Sequence, residues 1–217
     1  MRAIVRAEDA ERSASSDLVV VRAAHIAALA TACAAPPPAN ESELRAHDAI
    51  TSRIHSASPS LPSRFGQLFS DETALTAALR EREASLAKKL ASVGDRVELS
   101  VMLSWRRPGT SSDHVVANEK PARDASGRSH LERAAARERE RQRADQIVAR
   151  LIEQLPCDRA FARHSSCPRD GVAAIVALLV TRDEVETMRT HILSFGERSS
   201  EVTATVHGPL PPYSFAT

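Results

Sequence analysis

The cleanest alternation of apolar and polar positions lies in "RVELSVMLSW". Val97, Leu99, Val101, Leu103 and Trp105 share one side, and Glu98, Ser100, Met102 and Ser104 share the other, as in a half-buried strand. Just before it the period becomes helical. Leu75, Leu79, Leu86 and Leu90 form one stripe, Ser70 or Asp71 caps its start, Lys88 and Lys89 favour its negative end, and Gly94 stops it. Another helix is expected after Asn40, which stands at capping-box spacing from Glu43. Its apolar face would carry Leu44, His47, Ile50 and Ile54. Between these helices "SPSLPSRFG" reads as a turn, a short extended piece and a glycine. Upstream, "MRAIVRA" and "DLVVVRA" suit strands, "AHIAALATACAA" fits either strand or helix, and "APPPAN" interrupts the chain.

Past Trp105 the pattern dissolves. "RPGTSSDHVVANEKPARDAS" has breakers at Pro108, Gly109 and Pro121 and predicts an exposed connection over 107–126. A long helix follows in "RSHLERAAARERERQRADQIVARLIEQL". Its first half is charged nearly all round, and its second gains a stripe at Ala144, Ile147, Val148, Leu151 and Leu155. "CDRAFARH" suits an edge strand, the continuous "VAAIVALLV" suits the middle of a sheet, and "EVTATVH" alternates again. Before that last strand, Val185, Met188, Ile192 and Phe195 share one helical face. Helix, strand, strand, helix, strand is the back end of a ferredoxin-like unit. The expectation is an α+β protein of two domains, 1–106 and 127–217, joined by 107–126. Each would be a small sheet packed with helices, ferredoxin-like at least in the C-terminal half.

Composition narrows the class. Hydrophobic residues are 42% and charged residues 26% of 217, enough for a folded core, while aromatics at 3% leave that core to aliphatic side chains. Lys plus Arg is 29 against 28 for Asp plus Glu, so no global field draws the chain to nucleic acid or anionic membrane. The longest apolar run, "GVAAIVALLV", is short of the roughly 20 residues of a membrane helix. The first residues carry charges where a secretory segment would be apolar, and the three cysteines show no C-x-x-C spacing. A soluble cytoplasmic protein is expected.

A search for chemistry returns little. The eight histidines form neither H-x-x-x-H nor H-E-x-x-H, and the seven glycines form no phosphate loop. Cys157, His164 and Cys167 are the one cluster with metal-ligand types, and they lack a fourth ligand. His47 lies on an apolar helix face with no nucleophile beside it, which fits a buried, hydrogen-bonded imidazole better than a base. "RERERQR" alternates sign and reads as a solvated face. No cofactor, metal or catalytic residue is expected.

The sequence closes on "GPLPPYSFAT", which places the only Tyr and one of five Phe behind three prolines. Proline fixes φ, so such a tail loses less entropy on docking, and two rings can anchor it. The neighbourhood of Arg64 and Phe65 is a candidate acceptor.

Two stretches carry more information than any pattern. "LRAHDAITSRIHSASPSLPSRFGQLFSDETAL" supplies His47, Leu61, Pro62, Arg64, Phe65 and Gly66. The closing stretch supplies Gly208, Pro209, Pro211, Pro212, Tyr213, Ser214 and Phe215. Together they resemble the gas vesicle protein F/L family (GvpL/GvpF), whose pattern has an LP-x-RFG segment in its first half and closes with GPWPPYSF. "GRSHLERAAARER" is similar to the family's helix opening. His130 stands where the family tends to have Tyr, Leu210 where it has Trp, and Ser63 where it has an apolar residue. The resemblance implies a non-enzymatic accessory protein and minor component of gas vesicles. Its implied partners are the small, apolar major shell protein, during nucleation and growth, and other gas vesicle accessory proteins, with no nucleic acid or membrane. Two rivals stand beside it: a ferredoxin-like regulatory or small-molecule-binding domain, and an enzyme using His47 or the Cys157, His164, Cys167 group.

Overall fold

The computed structural model describes residues 1–106, 127–156, 158 and 161–216. The expected connection 107–126 therefore lies outside the described residues, as does Cys157.

The elements in order are β1 (Ala3–Arg6), a 3-10 turn (Ala7–Asp9), α1 (Ala10–Ser13), β2 (Val19–Arg22), β3 (Ile26–Ala30), α2 (Glu41–Ala57), β4 (Ser60–Pro62) and α3 (Glu72–Val93). They continue with β5 (Val97–Trp105), α4 (Gly127–Gln154), β6 (Ala162–Arg169), β7 (Val172–Val180), α5 (Val185–Arg198), β8 (Val202–Leu210) and α6 (Tyr213–Ala216). The strands form two four-stranded sheets, ordered β2-β3-β1-β4 and β6-β7-β5-β8. This is an α+β architecture of two sheets packed with helices. By proximity the chain forms two compact units. One is 1–99, 179–185 and 208–217, and the other is 100–178 and 186–207.

The first sheet is antiparallel, with Val5 opposite Ala27 and Ser60, and Val20 opposite Leu29. The segment that fitted strand or helix is thus β3, and its residues Ile26–Leu29 are fully buried between two strands. Pairing on both sides decides what propensity left open. Helix α2 is capped by Asn40, whose side chain accepts from Glu43 N at 2.9 Å. Its buried face differs from the expected stripe: Leu44 is 46% exposed, while His47, Thr51, Ile54 and His55 are buried. Polar side chains with fixed partners occupy positions that an apolar count cannot see. Helix α3 follows its sequence closely, with Asp71 accepting from Ala74 N at 2.8 Å and Gly94 at φ 56 ending it.

In the second sheet β6 pairs antiparallel with β7, with Ser165 opposite Ile175. The interior strand β7 is buried along nearly its whole length and the edge strand β6 is largely exposed. Helix α4 buries Ala144, Ile147, Val148 and Leu151, and the described side chains of its first half are exposed. Helix α5 buries Met188 and Ile192, and at Gly196 it comes so near β8 that a Cβ would lie 2.7 Å from Ala204 N. The alternation of β5 needs one correction. Glu98, on the polar side of the pattern, is only 4% exposed.

Candidate functional site

The two sequence motifs meet in the first unit. His47 projects from α2 and is 4% exposed. Its Nδ1 accepts from Arg2 Nη1 at 3.0 Å and its Nε2–H donates to the Ser63 carbonyl at 3.0 Å. A cationic donor on one nitrogen and a carbonyl on the other fix the neutral Nε2–H tautomer. Burial pushes the imidazole pKa below its ordinary value, and the Arg2 charge adds to this. The ring also meets Phe65 edge-on, with centroids 5.7 Å apart at 88°. This is a histidine built into a wall, with both nitrogens used.

The rest of the first motif shapes the segment after α2. Leu61 and Pro62 are buried in β4, and the Ser63 hydroxyl donates to the carbonyls of Met1 and Arg2 at 2.6 and 2.9 Å. Arg64 is exposed, Phe65 is half-buried, and Gly66 turns the chain at φ 79. About two turns further along α2, His55 repeats the logic of His47. Its Nε2–H donates to the Arg96 carbonyl at 2.9 Å, its Nδ1 accepts from Ser60 Oγ at 3.1 Å, and burial lowers its pKa. Arg182 donates to the His55 carbonyl at 2.9 Å.

The second motif closes on the same unit. Gly208 has φ 125, and a Cβ there would lie 2.7 Å from the Glu98 carbonyl oxygen. Pro209 is exposed, whereas Pro211 and Pro212 are buried and lead into the single turn α6, which packs against β4 and α3. Phe215 is 7% exposed. The Tyr213 hydroxyl donates to Asp48 Oδ1 at 3.0 Å, and its pKa is pushed up to about 12, first by burial and then by the carboxylates of Asp48 and Glu98, with a Thr51 hydrogen bond opposing. Ser214 donates twice to Glu98, from its backbone N to Oε2 and from its hydroxyl to Oε1, both at 2.8 Å. The tail therefore comes to the strand beside Arg64 and Phe65, but its side-chain anchors are Asp48 and Glu98. Sequence reasoning missed both carboxylates. Asp48 follows His47 directly, and Glu98 sits in a strand whose alternation pointed it outward.

The metal-type cluster does not assemble among the described residues. His164 Nε2 faces Asp145 Oδ1 at 3.4 Å, burial raises the Cys167 thiol pKa, and no group of three His, Cys, Asp or Glu side chains is placed to hold a metal. No helix among the described residues is long and apolar enough to cross a membrane. In the second unit, Arg143 and Arg150 both pair with Glu201, and the Arg143 guanidinium lies 5.3 Å above the Trp105 ring.

Comparison with known proteins gives consistent results. The family model described as "Gas vesicle synthesis protein GvpL/GvpF" matches residues 3–217. The chain is 28% identical over 188 residues to gas vesicle protein F of Streptomyces sp. (strain CB03234), covering 80% of this chain and 76% of that protein. Gas vesicle protein L of the same strain is 29% identical over 184 residues, covering 79% and 68%. In fold, the chain is similar to the crystal structure of GvpF from Microcystis aeruginosa, with TM-score 0.69, 14% identity, and coverage of 92% and 88%. The GvpF structure from Anabaena sp. PCC7120 gives 0.66, 16%, and the same coverage.

Proposed function

The chain belongs to the GvpL/GvpF family of gas vesicle proteins, and from that premise we propose that it is a cytoplasmic assembly factor and minor vesicle component that binds the major shell protein during nucleation and growth. The observation that carries this reading is the family match over residues 3–217, which includes both motifs. The family is one of gas vesicle synthesis rather than of enzymes. The candidate residues fit a scaffolding role. His47 bonds Arg2 and the Ser63 carbonyl, Tyr213 bonds Asp48, and Glu98 bonds the Ser214 hydroxyl and backbone N, so their polar atoms are spent within the fold. The test is capture of the purified major shell protein by the tagged full-length chain. Saturable capture is expected, and its absence overturns the binding step.

Two finer readings accompany it. A ferredoxin-like second sheet is supported by the element order β5-α4-β6-β7-α5-β8 with strand order β6-β7-β5-β8. Separate domains at 1–106 and 127–217 predict first protease cleavage within 107–126, since the sequence there is rich in breakers. Because residues 208–217 pack with residues 1–99, the two fragments should still elute together after that cut. First cleavage elsewhere contradicts the boundary.

A further inference from the structure

The first sheet ends on a short edge strand of four residues whose first three side chains are uncharged and apolar. Strand β2 is outermost in the order β2-β3-β1-β4, and it reads Val19, Val20, Val21 with a charge only at Arg22. Edges are ordinarily blunted by lysine, proline, a bulge or an inward charge. Here the register with β3 runs without a break from Val19 opposite Ala30 to Arg22 opposite Ala27. Val19 and Val21 of this strand line a groove of about 320 Å³ together with Leu68, Phe69 and Leu75. Val19 and Leu68 are each 43% exposed, two of the few large apolar side chains so open among the described residues. The charged side chains on its wall are Asp71 and Glu72. The capping bonds from Ala74 N and Ser70 hold the Asp71 carboxyl below the usual carboxylate range.

We propose that the β2 edge and this groove receive one extended segment of the major shell protein, with uncharged apolar side chains and a flanking Lys or Arg. The proposal rests on the shell-binding reading above and adds the surface. An open strand edge supplies backbone hydrogen bonds to a partner in extended form, and the groove takes that partner's alternate side chains. Asp71 and Glu72 set the sign of the flank, because an acidic segment would be repelled there and a basic one drawn in. Of the remaining wall only Met1 brings a charge, its α-ammonium, which donates to the Gln67 carbonyl at 2.9 Å, so the side chains that enter the rest of the groove must be apolar.

The experiment is capture of the purified major shell protein by the full-length chain and four variants. Val19→Glu and Leu68→Glu place a charge in the groove, whereas Leu131→Glu and Leu193→Glu place one at exposed leucines elsewhere. The groove variants should bind at least about tenfold more weakly and the other two within about twofold of the parent, with all melting midpoints unchanged. Glu72→Lys should weaken capture and make it less sensitive to salt. Undiminished capture by both groove variants overturns this surface while leaving shell binding intact. A parent chain that sediments as a dimer, and as a monomer after Val19→Glu, overturns it in favour of a second copy on the same edge. Failure of the parent chain to capture the shell protein overturns the functional reading and this surface with it.

Discussion

The two units carry sheets of matching strand order yet are fastened by different chemistry. Each sheet places its second strand at one edge and its fourth at the other, with the third and first between them. Among the described residues, the buried polar side chains are Asp9, Ser13, His47, Thr51, His55, Ser58, Ser60, Ser63 and Glu98, all within 1–99. The second unit buries Leu103, Ile147, Leu151, Leu178 and Met188 and keeps its charged pairs outside, where Glu201 meets Arg143 and Arg150. An apolar core tolerates exchange of similar shapes, while a buried polar group has one arrangement that satisfies it. No buried side-chain nitrogen or oxygen among the described residues lacks a partner. The first unit is therefore specified by its hydrogen bonds, and the last residues complete that set.

The largest break in this comparison should come from the tail. Ending the chain after Leu210 removes Phe215 and Tyr213 from the first unit and leaves the buried Glu98 without its two Ser214 donors. A core Phe→Ala change costs about 3–5 kcal/mol and an orphaned buried polar group about 1–3 kcal/mol. The melting midpoint should fall by at least about 5 °C, as read by circular dichroism. Coincident curves would mean the tail contributes nothing to the fold.

Next come two glycines, one in each unit. Ala at Gly208 meets both a positive φ and the Glu98 carbonyl, and Ala at Gly196 meets the Ala204 backbone. Each should cost about 1–3 kcal/mol by denaturant titration. Only Gly208→Ala should also expose Tyr213 fluorescence to quencher, since Gly208 leads into the tail.

Acid should separate the units further. His47 and His55 are held neutral with lowered pKa values, chiefly by burial. In the unfolded chain they return to about 6.5, so the unfolded state binds more protons below that pH. The stability they contribute is present above about pH 6.5 and is lost as the pH falls from there through the folded-state values. Melting at pH 5 should lie below melting at pH 7.5, and His55→Gln should flatten that slope. An unchanged slope in both His47→Gln and His55→Gln would assign the acid sensitivity elsewhere.

The smallest effect belongs to the second unit's surface. Glu201→Gln weakens its pairs with Arg143 and Arg150, and it should cost under about 1 kcal/mol and less still in high salt. Glu98→Gln, by contrast, should cost more, because both of its oxygens serve the tail. Equal losses at the two glutamates would erase the difference drawn between the units.

The sequence made much of this fold legible, and the limits are instructive. Helix α3 was visible because its cap, stripe and stopping glycine are all local. The continuous apolar run of β7 pointed to an interior strand because burial on both faces leaves no polar positions. Glu98 was misplaced because alternation reports the two faces of a strand and knows nothing of a tail arriving 116 residues later. Leu44 was placed inward for a related reason: helical periodicity ranks apolar residues first, and the buried face of α2 is partly polar. The one-turn helix α6 had no expectation in the sequence, since the three prolines ahead of it dominate the local signal and point only to a stiff tail. The motif residues themselves were nameable, but their anchors Asp48 and Glu98 were not, because pairing across 165 and 116 positions leaves no periodic trace.

The functional claim has its own direct measurement. In the source organism, the gene is deleted and intact gas vesicles are counted by electron microscopy, with and without the full-length gene restored in trans. The account predicts that vesicles are lost or stunted on deletion and return with the restored gene. Normal numbers of full-sized vesicles in the deletion strain would contradict it.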